Sequence, residues 1–279
     1  MGDDLDFERI TVKPLSTALG AEVAEVDLAR LDDQAWTEIE RAYHRYMVLF
    51  FRDQSMTPEE QVNFAARFGP VDRYPFGDPI PEHQDVVAVV AEPDAPSTFG
   101  ALWRSDTPFL ERPPAGSVLY ARHGPGDAGE AQWADLRGAY AALSPGLRTV
   151  LDGLRAVHRD SPGADGTGAG DGARDGAGAE TRTATHPVVR THPVTGERSL
   201  YLCPAHTARF DGMTEDESAP LLDYLYRHGT RAEFTCRLRW EPGTVAVWDS
   251  RCTWRTRLGG DPGQQRVLHR VSIGGERPE

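Results

Sequence analysis

Cysteine spacing is the first chemical signal in this sequence, because paired cysteines form disulfides or bind zinc. Cys203, Cys236 and Cys252 are odd in number and form no C-x-x-C pair. Neither a disulfide framework nor a thiolate zinc site is therefore indicated. Thiols without such pairing are typical of a reducing compartment, so we expect a cytoplasmic protein.

Capping signals predict three helices. Thr57 is followed by a proline and two glutamates, which is the pattern of an N-cap with a capping box, and it predicts a helix over about 57–68. Two further capped segments predict helices over about 32–46 and 214–229. These helices must pack against whatever the rest of the chain forms.

Short β-branched or alternating runs bounded by glycine and proline predict strands along the rest of the chain. They lie at 48–51, 86–90, 117–121, 186–190, 199–202, 234–240, 244–248 and 266–273. This spacing is typical of a sandwich or jelly roll decorated with helices. We therefore predict a mainly β fold with flanking helices, in a single domain over residues 1–279.

The segment 161–182 breaks this pattern, because it is almost entirely Gly, Ala, Asp, Ser and Thr. Such a composition cannot bury enough apolar surface to offset the entropy of ordering. A disordered insert is therefore predicted at about 161–182. It is compatible with a more open pocket and with a lineage-specific insertion that has no role.

Net charge excludes two classes of partner. The sequence holds 30 Lys+Arg against 43 Asp+Glu, a formal net charge of -13, so a nucleic acid or an anionic membrane surface would be repelled. No apolar run approaches the roughly 20 residues of a membrane span, and the acidic N-terminus does not resemble a signal peptide. We expect neither a nucleic acid nor a membrane as partner.

Seven segments, in the same order along nearly the whole chain, carry a resemblance to a known family. They are ITVKPLSTALGAEV at 10–23, VLFFRDQ at 48–54, FAARFG at 64–69, PPAG at 113–116, HPVVRTHPVTG at 186–196, VWD at 247–249 and QRVLHR at 265–270. The chain resembles the family of taurine dioxygenase and 2,4-dichlorophenoxyacetate dioxygenase, which are iron(II)- and 2-oxoglutarate-dependent oxygenases. The resemblance implies a double-stranded β-helix, a cupin-like jelly roll.

The iron of this family is held by a His-x-Asp pair and a distant histidine, and the resemblance places three residues of this chain there. Asp106 matches the carboxylate, but Arg104 and Arg255 stand at the two histidine positions. A guanidinium has no acceptor lone pair and keeps its proton, so it does not ligate iron. We therefore expect neither a metal nor a cofactor, with Fe(II) and 2-oxoglutarate needed only if the family activity survives.

Two further arginines match anion-binding positions of the family. Arg266 matches the arginine that grips the distal carboxylate of 2-oxoglutarate, and Arg270 matches one that meets the substrate's anionic group in taurine dioxygenase. Ala131 replaces a threonine that helps to hold the cosubstrate. Together with Arg104 and Arg255, the arginines predict a pocket for a carboxylate, sulfonate or phosphate, which guanidinium binds by bidentate contacts.

Three residues are candidates for catalysis in that pocket. His206 matches a stretch that lines the family's substrate pocket, where an imidazole would act as general acid or base; a solvated loop histidine is the alternative. Tyr74 matches a position near the substrate, and Asp106 is the third candidate. Asp106 and His206 with either His123 or His269 would form another iron set, but no pair among them has a recognisable ligand spacing.

Three functions are compatible with the resemblance. The first is a family member that has lost or altered its iron chemistry and binds a small anionic metabolite, with metal-independent chemistry in specialised metabolism. The second is an active oxygenase that hydroxylates a small organic acid. The third is a non-catalytic binding or scaffold protein, in which Arg104 and Arg255 close on Asp106. A homo-oligomer is compatible with all three.

Overall fold

A large, mostly antiparallel sheet forms the framework of the structure. The computed structural model describes residues 6–74, 77–91, 102–123, 129–160, 181–258 and 266–279. The helices are α1 (Asp33–Tyr46), α2 (Pro58–Ala66), α3 (Leu136–Ala141), α4 (Pro145–Asp152) and α5 (Glu215–Gly229). The strands are β1 (Thr11–Pro14), β2 (Ala21–Ala24), β3 (Val48–Phe51), β4 (Val71–Asp72), β5 (Pro79–Ile80), β6 (His83–Ala91), β7 (Gly116–His123), β8 (Glu130–Asp135), β9 (Arg155–Arg159), β10 (Thr183–Pro187), β11 (Val189–Thr191), β12 (Arg198–Leu200), β13 (Thr207–Phe210), β14 (Thr235–Arg239), β15 (Val245–Asp249), β16 (Thr253–Leu258) and β17 (Arg266–Ile273).

The described strands assemble into four sheets. The largest has the order β1-β2-β3-β15-β7-β17-β6-β5, with β4 paired to β17, and its pairs are antiparallel except β2 with β3. The others are β14-β8-β16, β10-β9-β13 and β11-β12. Between the largest sheet and β14-β8-β16 lies an interior cluster that includes Phe50, Leu119, Trp133, Leu238 and Trp248. This packing of sheet on sheet confirms the predicted mainly β jelly roll with flanking helices.

Side chains alternate between the two faces of the large sheet. In β15, Ala246 and Trp248 enter the interior cluster, whereas Val245 and Val247 join a second cluster beneath α1 and α2. In β17, Val271 likewise belongs to the second cluster. The residues on either side of it in sequence therefore face the interior of the jelly roll.

The three predicted helices are confirmed, and their caps explain where they begin. Thr57 forms a complete capping box with Glu60 at the start of α2. Thr214 forms the same arrangement with Glu217 at the start of α5. Asp32 accepts a hydrogen bond from the backbone N–H of Ala35 and caps α1. Each cap satisfies N–H groups that have no partner within the helix. Among the described helices, none is both long and apolar enough to cross a membrane.

The predicted strand at 186–190 is two strands in the structure. Pro187 ends β10 because it has no N–H to donate, and the N–H of Val188 bonds instead to the carbonyl of Leu154 at 3.0 Å. The chain then joins another sheet as β11. Helices α3 and α4 and the strands β8, β9, β13 and β16 are additions that the sequence patterns did not predict. The insert predicted at about 161–182 lies outside the described residues, apart from Thr181 and Arg182.

Candidate functional site

Asp106 is a buried carboxylate, 5% exposed, on the segment that leads into β7. One of its oxygens, Oδ2, accepts three hydrogen bonds from neutral groups. They come from Ser250 Oγ at 2.7 Å, Ser117 Oγ at 3.1 Å and the indole Nε1 of Trp248 at 3.2 Å. All three donors lie in β7, in β15 or directly after β15, so the large sheet positions this oxygen.

The other oxygen of Asp106 meets two arginines from different sheets. Oδ1 lies 3.1 Å from Arg270 Nη2 on β17 and 3.3 Å from Arg255 Nη2 on β16. Burial alone would raise the pKa of Asp106, but the guanidiniums of Arg270 and Arg255 hold it well below its usual range. Asp106 is therefore an ionised carboxylate with five donors around it.

Arg270 is 5% exposed and is held on both sides. Its Nη2 donates to Ser117 Oγ at 3.0 Å, and its Cζ lies 4.0 Å from the ring centroid of Tyr74, which is itself buried. This cation–π contact holds the guanidinium over the ring while its Nη2 reaches Asp106. The structure thus brings Tyr74, Arg270 and Asp106 together.

Arg104 and Arg255 are joined through their backbones. They form an antiparallel bridge in which each N–H donates to the other's carbonyl, at 2.9 Å and 2.8 Å. Arg104 is 8% exposed, and the Arg255 side chain lies with its Cζ 5.1 Å from the ring centroid of Trp248. The arrangement expected for a non-catalytic remnant had Arg104 and Arg255 both closing on Asp106. In the structure the second arginine on Asp106 is Arg270, because β17 runs beside β7 and presents Arg270 to Ser117.

His206 is buried, 4% exposed, so the solvated loop histidine is a wrong interpretation. Its ring lies edge-on to Phe109, 5.0 Å between centroids. Its carbonyl accepts a hydrogen bond from the N–H of Arg159, which attaches the loop before β13 to the end of β9. His206 therefore lies beside the segment that carries Asp106.

Two more histidines are buried close to His206. The rings of His158 and His186 are 5.6 Å apart, and His186 Nε2 donates to the carbonyl of Leu110 at 2.9 Å. The pKa of His158 is lowered to about 3, mainly by burial and also by the charges that His186 and His206 would carry. Burial lowers the pKa of His186 as well, so His158 and His186 favour the neutral form in the folded protein.

Acidification is expected to destabilise the protein through His158. The unfolded histidine binds a proton near pH 6.5 and the folded one only near 3, so the stability is complete above pH 6.5 and is lost as the pH falls towards 3. The loss is about 1.4 kcal/mol for each pH unit in that window. Urea unfolding at several pH values between 7 and 4 measures it.

The change of unfolding free energy with pH is compared between two variants, His158→Gln and the control His83→Gln. His83 was chosen as the control because it lies near the surface beside Glu59. The His158→Gln variant should lose much of the pH dependence, whereas the His83→Gln variant should keep it. Equal slopes in the wild type and His158→Gln would contradict this assignment.

Four further residues were considered for the site, and the side chains of two of them lie outside the described residues. Arg266 begins β17, where its backbone is paired with Ala91, and its side chain lies outside the described residues. The side chain of His123 is also outside them. Ala131 lies in β8 and belongs to the interior cluster. His269 is adjacent to Arg270 on β17, so alternation turns it to the face opposite Asp106.

Sequence patterns missed the neutral groups around Asp106 and a buried ionic cluster. Within the described part of the chain, His192, Asp249 and Cys252 are the one group of three metal-ligating types in close reach of one another. Arg251 already donates to both oxygens of Asp249, at 2.8 Å and 2.6 Å. His192 Nδ1 accepts the N–H of Thr195, so Nε2 carries the proton that it donates to Asp249 at 2.9 Å. These hydrogen bonds hold the end of β15 against the loop that follows β11, so the cluster has a structural role.

Comparisons with known proteins extend over nearly the whole chain. A family model described as "Taurine catabolism dioxygenase TauD, TfdA family" matches residues 11–272. The alpha-ketoglutarate-dependent sulfate ester dioxygenase of Pseudomonas putida is 33% identical, over 96% of this chain and 91% of that protein. The crystal structure of a taurine dioxygenase from Burkholderia xenovorans superposes with a TM-score of 0.81 at 36% identity, covering 97% of this chain and 91% of that one. A crystal structure of AAD-2 with Mn(II) and N-oxalylglycine superposes with a TM-score of 0.80 at 29% identity, covering 96% and 98%.

Proposed function

Because the chain belongs to the taurine catabolism dioxygenase TauD, TfdA family, we propose that it keeps the family's pocket as a binding site for a small anion and has lost iron-dependent oxygenation. Arg104 and Arg255 replace the two iron-binding histidines in this proposal, and Asp106 is the retained carboxylate. One observation carries it: Oδ1 of Asp106 is already paired with Arg255 and Arg270.

The residues around Asp106 do not fit a divalent iron. Guanidiniums offer only donors, and Oδ2 is taken by three further hydrogen bonds. A dication placed beside Arg255 and Arg270 would also be repelled, by several kcal/mol per charge pair at 4 Å and an effective dielectric near 20. The cluster of metal-ligating residue types found among the described residues, His192 with Asp249 and Cys252, does not contain Asp106. No step of the proposed function therefore depends on a metal.

The second iron set suggested by the sequence is also poorly supported. It would combine Asp106 and His206 with either His123 or His269. His269 faces away from Asp106 on β17, and the His206 ring packs on Phe109. The competing function, an active oxygenase for a small organic acid, rests on family membership and on relatives named as alpha-ketoglutarate-dependent enzymes.

Charge within the site favours an anionic ligand. Arg255 and Arg270 both contact Oδ1 of Asp106, and Arg104 is bridged through its backbone to Arg255, so three arginines lie close together in an otherwise acidic protein. Guanidinium groups bind anionic oxyacid groups by bidentate hydrogen bonds, so we expect an anion as the ligand. The relatives named for sulfate esters and taurine act on compounds with an anionic sulfur oxyacid group, which agrees with this ligand class.

Roles for the other site residues follow from their places. Arg270 is proposed to contact the anion together with Arg104 and Arg255, and Arg266 to contribute if its side chain enters the pocket. Tyr74 orients Arg270 through the contact of its ring with the guanidinium. His206 is proposed as a general acid or base for metal-independent chemistry on the bound anion.

A thermal-shift screen with propionate, methanesulfonate and inorganic phosphate tests the proposed function. At a concentration 100 times its dissociation constant, a bound anion should add about 2.7 kcal/mol of stability, which is roughly 5–10 °C in Tm. Arg270→Gln should abolish the shift and Arg270→Lys should keep part of it. Arg30→Gln, at a side chain that is 87% exposed, should leave it unchanged.

The opposite results have distinct meanings. No shift with any of the three anions would overturn the proposed binding site and favour a scaffold protein. A shift of the same size in the folded Arg270→Gln variant would place the anion elsewhere.

A further inference from the structure

Thr107, the residue directly after Asp106, has a strained backbone. Its φ is +40°, in the left-handed region that a β-branched side chain rarely adopts. It also precedes Pro108, and a residue before proline favours an extended backbone instead. Among the described residues other than glycine, four have a positive φ, and Thr107 is the one that is β-branched. Such a conformation persists only where the surrounding structure enforces it.

Contacts on both sides of Thr107 enforce this conformation. Its carbonyl accepts the N–H of Leu110 at 3.1 Å, which closes a turn over 107–110. The carbonyl of Leu110 in turn accepts a hydrogen bond from His186 Nε2 at 2.9 Å. On the other side, hydrogen bonds and ion pairs hold the carboxylate of Asp106. The strain at Thr107 is therefore fixed by the anchors of the two neighbouring segments.

The hydroxyl of Thr107 adds a second cost. The residue is 3% exposed, and its Oγ1 is buried without a hydrogen-bond partner among the described residues. Burying an unpaired hydroxyl is unfavourable, whereas valine has nearly the same shape and no polar group to satisfy. Thr107 thus combines an unfavourable backbone with an unsatisfied polar atom. Stability alone would favour another residue at this position.

Thr107 lies beside the proposed anion site. Asp106, one residue earlier, contacts Arg255 and Arg270 through its Oδ1. In an extended segment, consecutive side chains point to opposite faces, so Thr107 would face away from the carboxylate of Asp106. The left-handed backbone at Thr107 breaks that alternation. A ligand of the site that takes a hydrogen bond from the hydroxyl would explain both the strain and the missing partner.

We infer that Thr107 is a specificity-determining residue of the anion site, and that its hydroxyl donates a hydrogen bond to an oxygen of a bound sulfonate or phosphate group. This inference rests on the proposed anion-binding function. An ionised oxygen is a strong acceptor, and these head groups have a third oxygen that a carboxylate lacks. Because Arg255 and Arg270 supply the charged donors, a third donor favours the head group with the third oxygen.

Equilibrium binding of methanesulfonate and propionate to the full chain, together with thermal unfolding of the same variants, tests this role. Thr107→Val should weaken methanesulfonate about 10- to 100-fold, the range for losing a hydrogen bond to a charged group, and propionate by less. Without an anion, the Tm of this variant should be no lower than that of the wild type, because it buries no unpaired hydroxyl. Thr107→Ser keeps the hydroxyl and should bind methanesulfonate as the wild type does.

Thr253→Val is the matched control. Thr253 is 1% exposed, but its Oγ1 donates to the carbonyl of Asp249 at 2.6 Å. This variant should have a lower Tm than the wild type and the same affinity for methanesulfonate. The two threonines should therefore differ in the effect of valine on both stability and binding.

The outcomes separate Thr107 from the site as a whole. If the wild type binds methanesulfonate and Thr107→Val binds it equally well, or loses affinity equally for both anions, the role of Thr107 is overturned and the anion site stands. A clear fall in the Tm of Thr107→Val, or its failure to fold, would show that the hydroxyl has a structural partner and would also overturn it. Binding of neither anion by the wild type would overturn both the role of Thr107 and the proposed function.

Discussion

Replacing Asp106 with asparagine is expected to lower the free energy of unfolding by about 3–5 kcal/mol. The amide has nearly the same shape and still accepts from Ser250 and Ser117. It carries no charge, so Arg255 and Arg270 would be left buried without their counterion. Removing one partner of a buried ion pair is much more costly than losing a neutral hydrogen bond. Urea or guanidinium unfolding, in a buffer without multivalent anions, measures the difference.

Asp33→Asn is the matched control for this substitution. Asp33 pairs with Arg67 at 2.9 Å, but its side chain is 93% exposed, and exposed ion pairs contribute at most about 1 kcal/mol. A loss for Asp106→Asn no larger than that of Asp33→Asn would contradict the burial and pairing assigned to Asp106. Added phosphate should restore part of the lost stability, because the variant site carries one positive charge more.

Restoring both histidines is expected to create an iron site. In Arg104→His/Arg255→His, two imidazoles and the Asp106 carboxylate would form the two-histidine, one-carboxylate set that suits non-haem iron. The backbone bridge between positions 104 and 255 already brings them together. We expect the variant to retain about one Fe(II) per chain after anaerobic desalting, read by elemental analysis.

Arg104→Gln/Arg255→Gln is the control, because it removes the same two charges without supplying metal ligands. It should bind no more iron than the wild type. A folded double-histidine variant with no gain of iron over this control would count against the placement of Arg104 and Arg255 at the histidine positions.

Local signals in the sequence were sufficient for the helices and for most of the central strands. Thr57 and Thr214 specify their helix starts through side chains that bond to nearby backbone, so the signal is contained in four residues. The same kind of cap at Ser144, with a proline following it, begins α4 and was missed. Strand β16 was missed because Arg255 and Arg257 interrupt its apolar pattern, and the partner of Arg255 is the distant Asp106.

The site could be predicted only in part. Resemblance placed Asp106, Arg255 and Arg270 together, and the structure has them in contact. It did not show that Arg270, rather than Arg104, would share Asp106 with Arg255. That choice depends on the register of β17 against β7, which no short motif encodes. The donors Ser117 and Ser250 were invisible for the same reason, since each reaches Asp106 across more than ten residues of chain.

The most direct test of the central claim is iron binding and turnover by the wild-type chain. Fe(II) is titrated anaerobically in the presence of 2-oxoglutarate, and succinate is then measured after oxygen is admitted. The site with Arg104, Asp106 and Arg255 predicts no stoichiometric iron and no succinate above a protein-free blank. One Fe(II) per chain together with 2-oxoglutarate-dependent succinate release would contradict it and establish an active oxygenase.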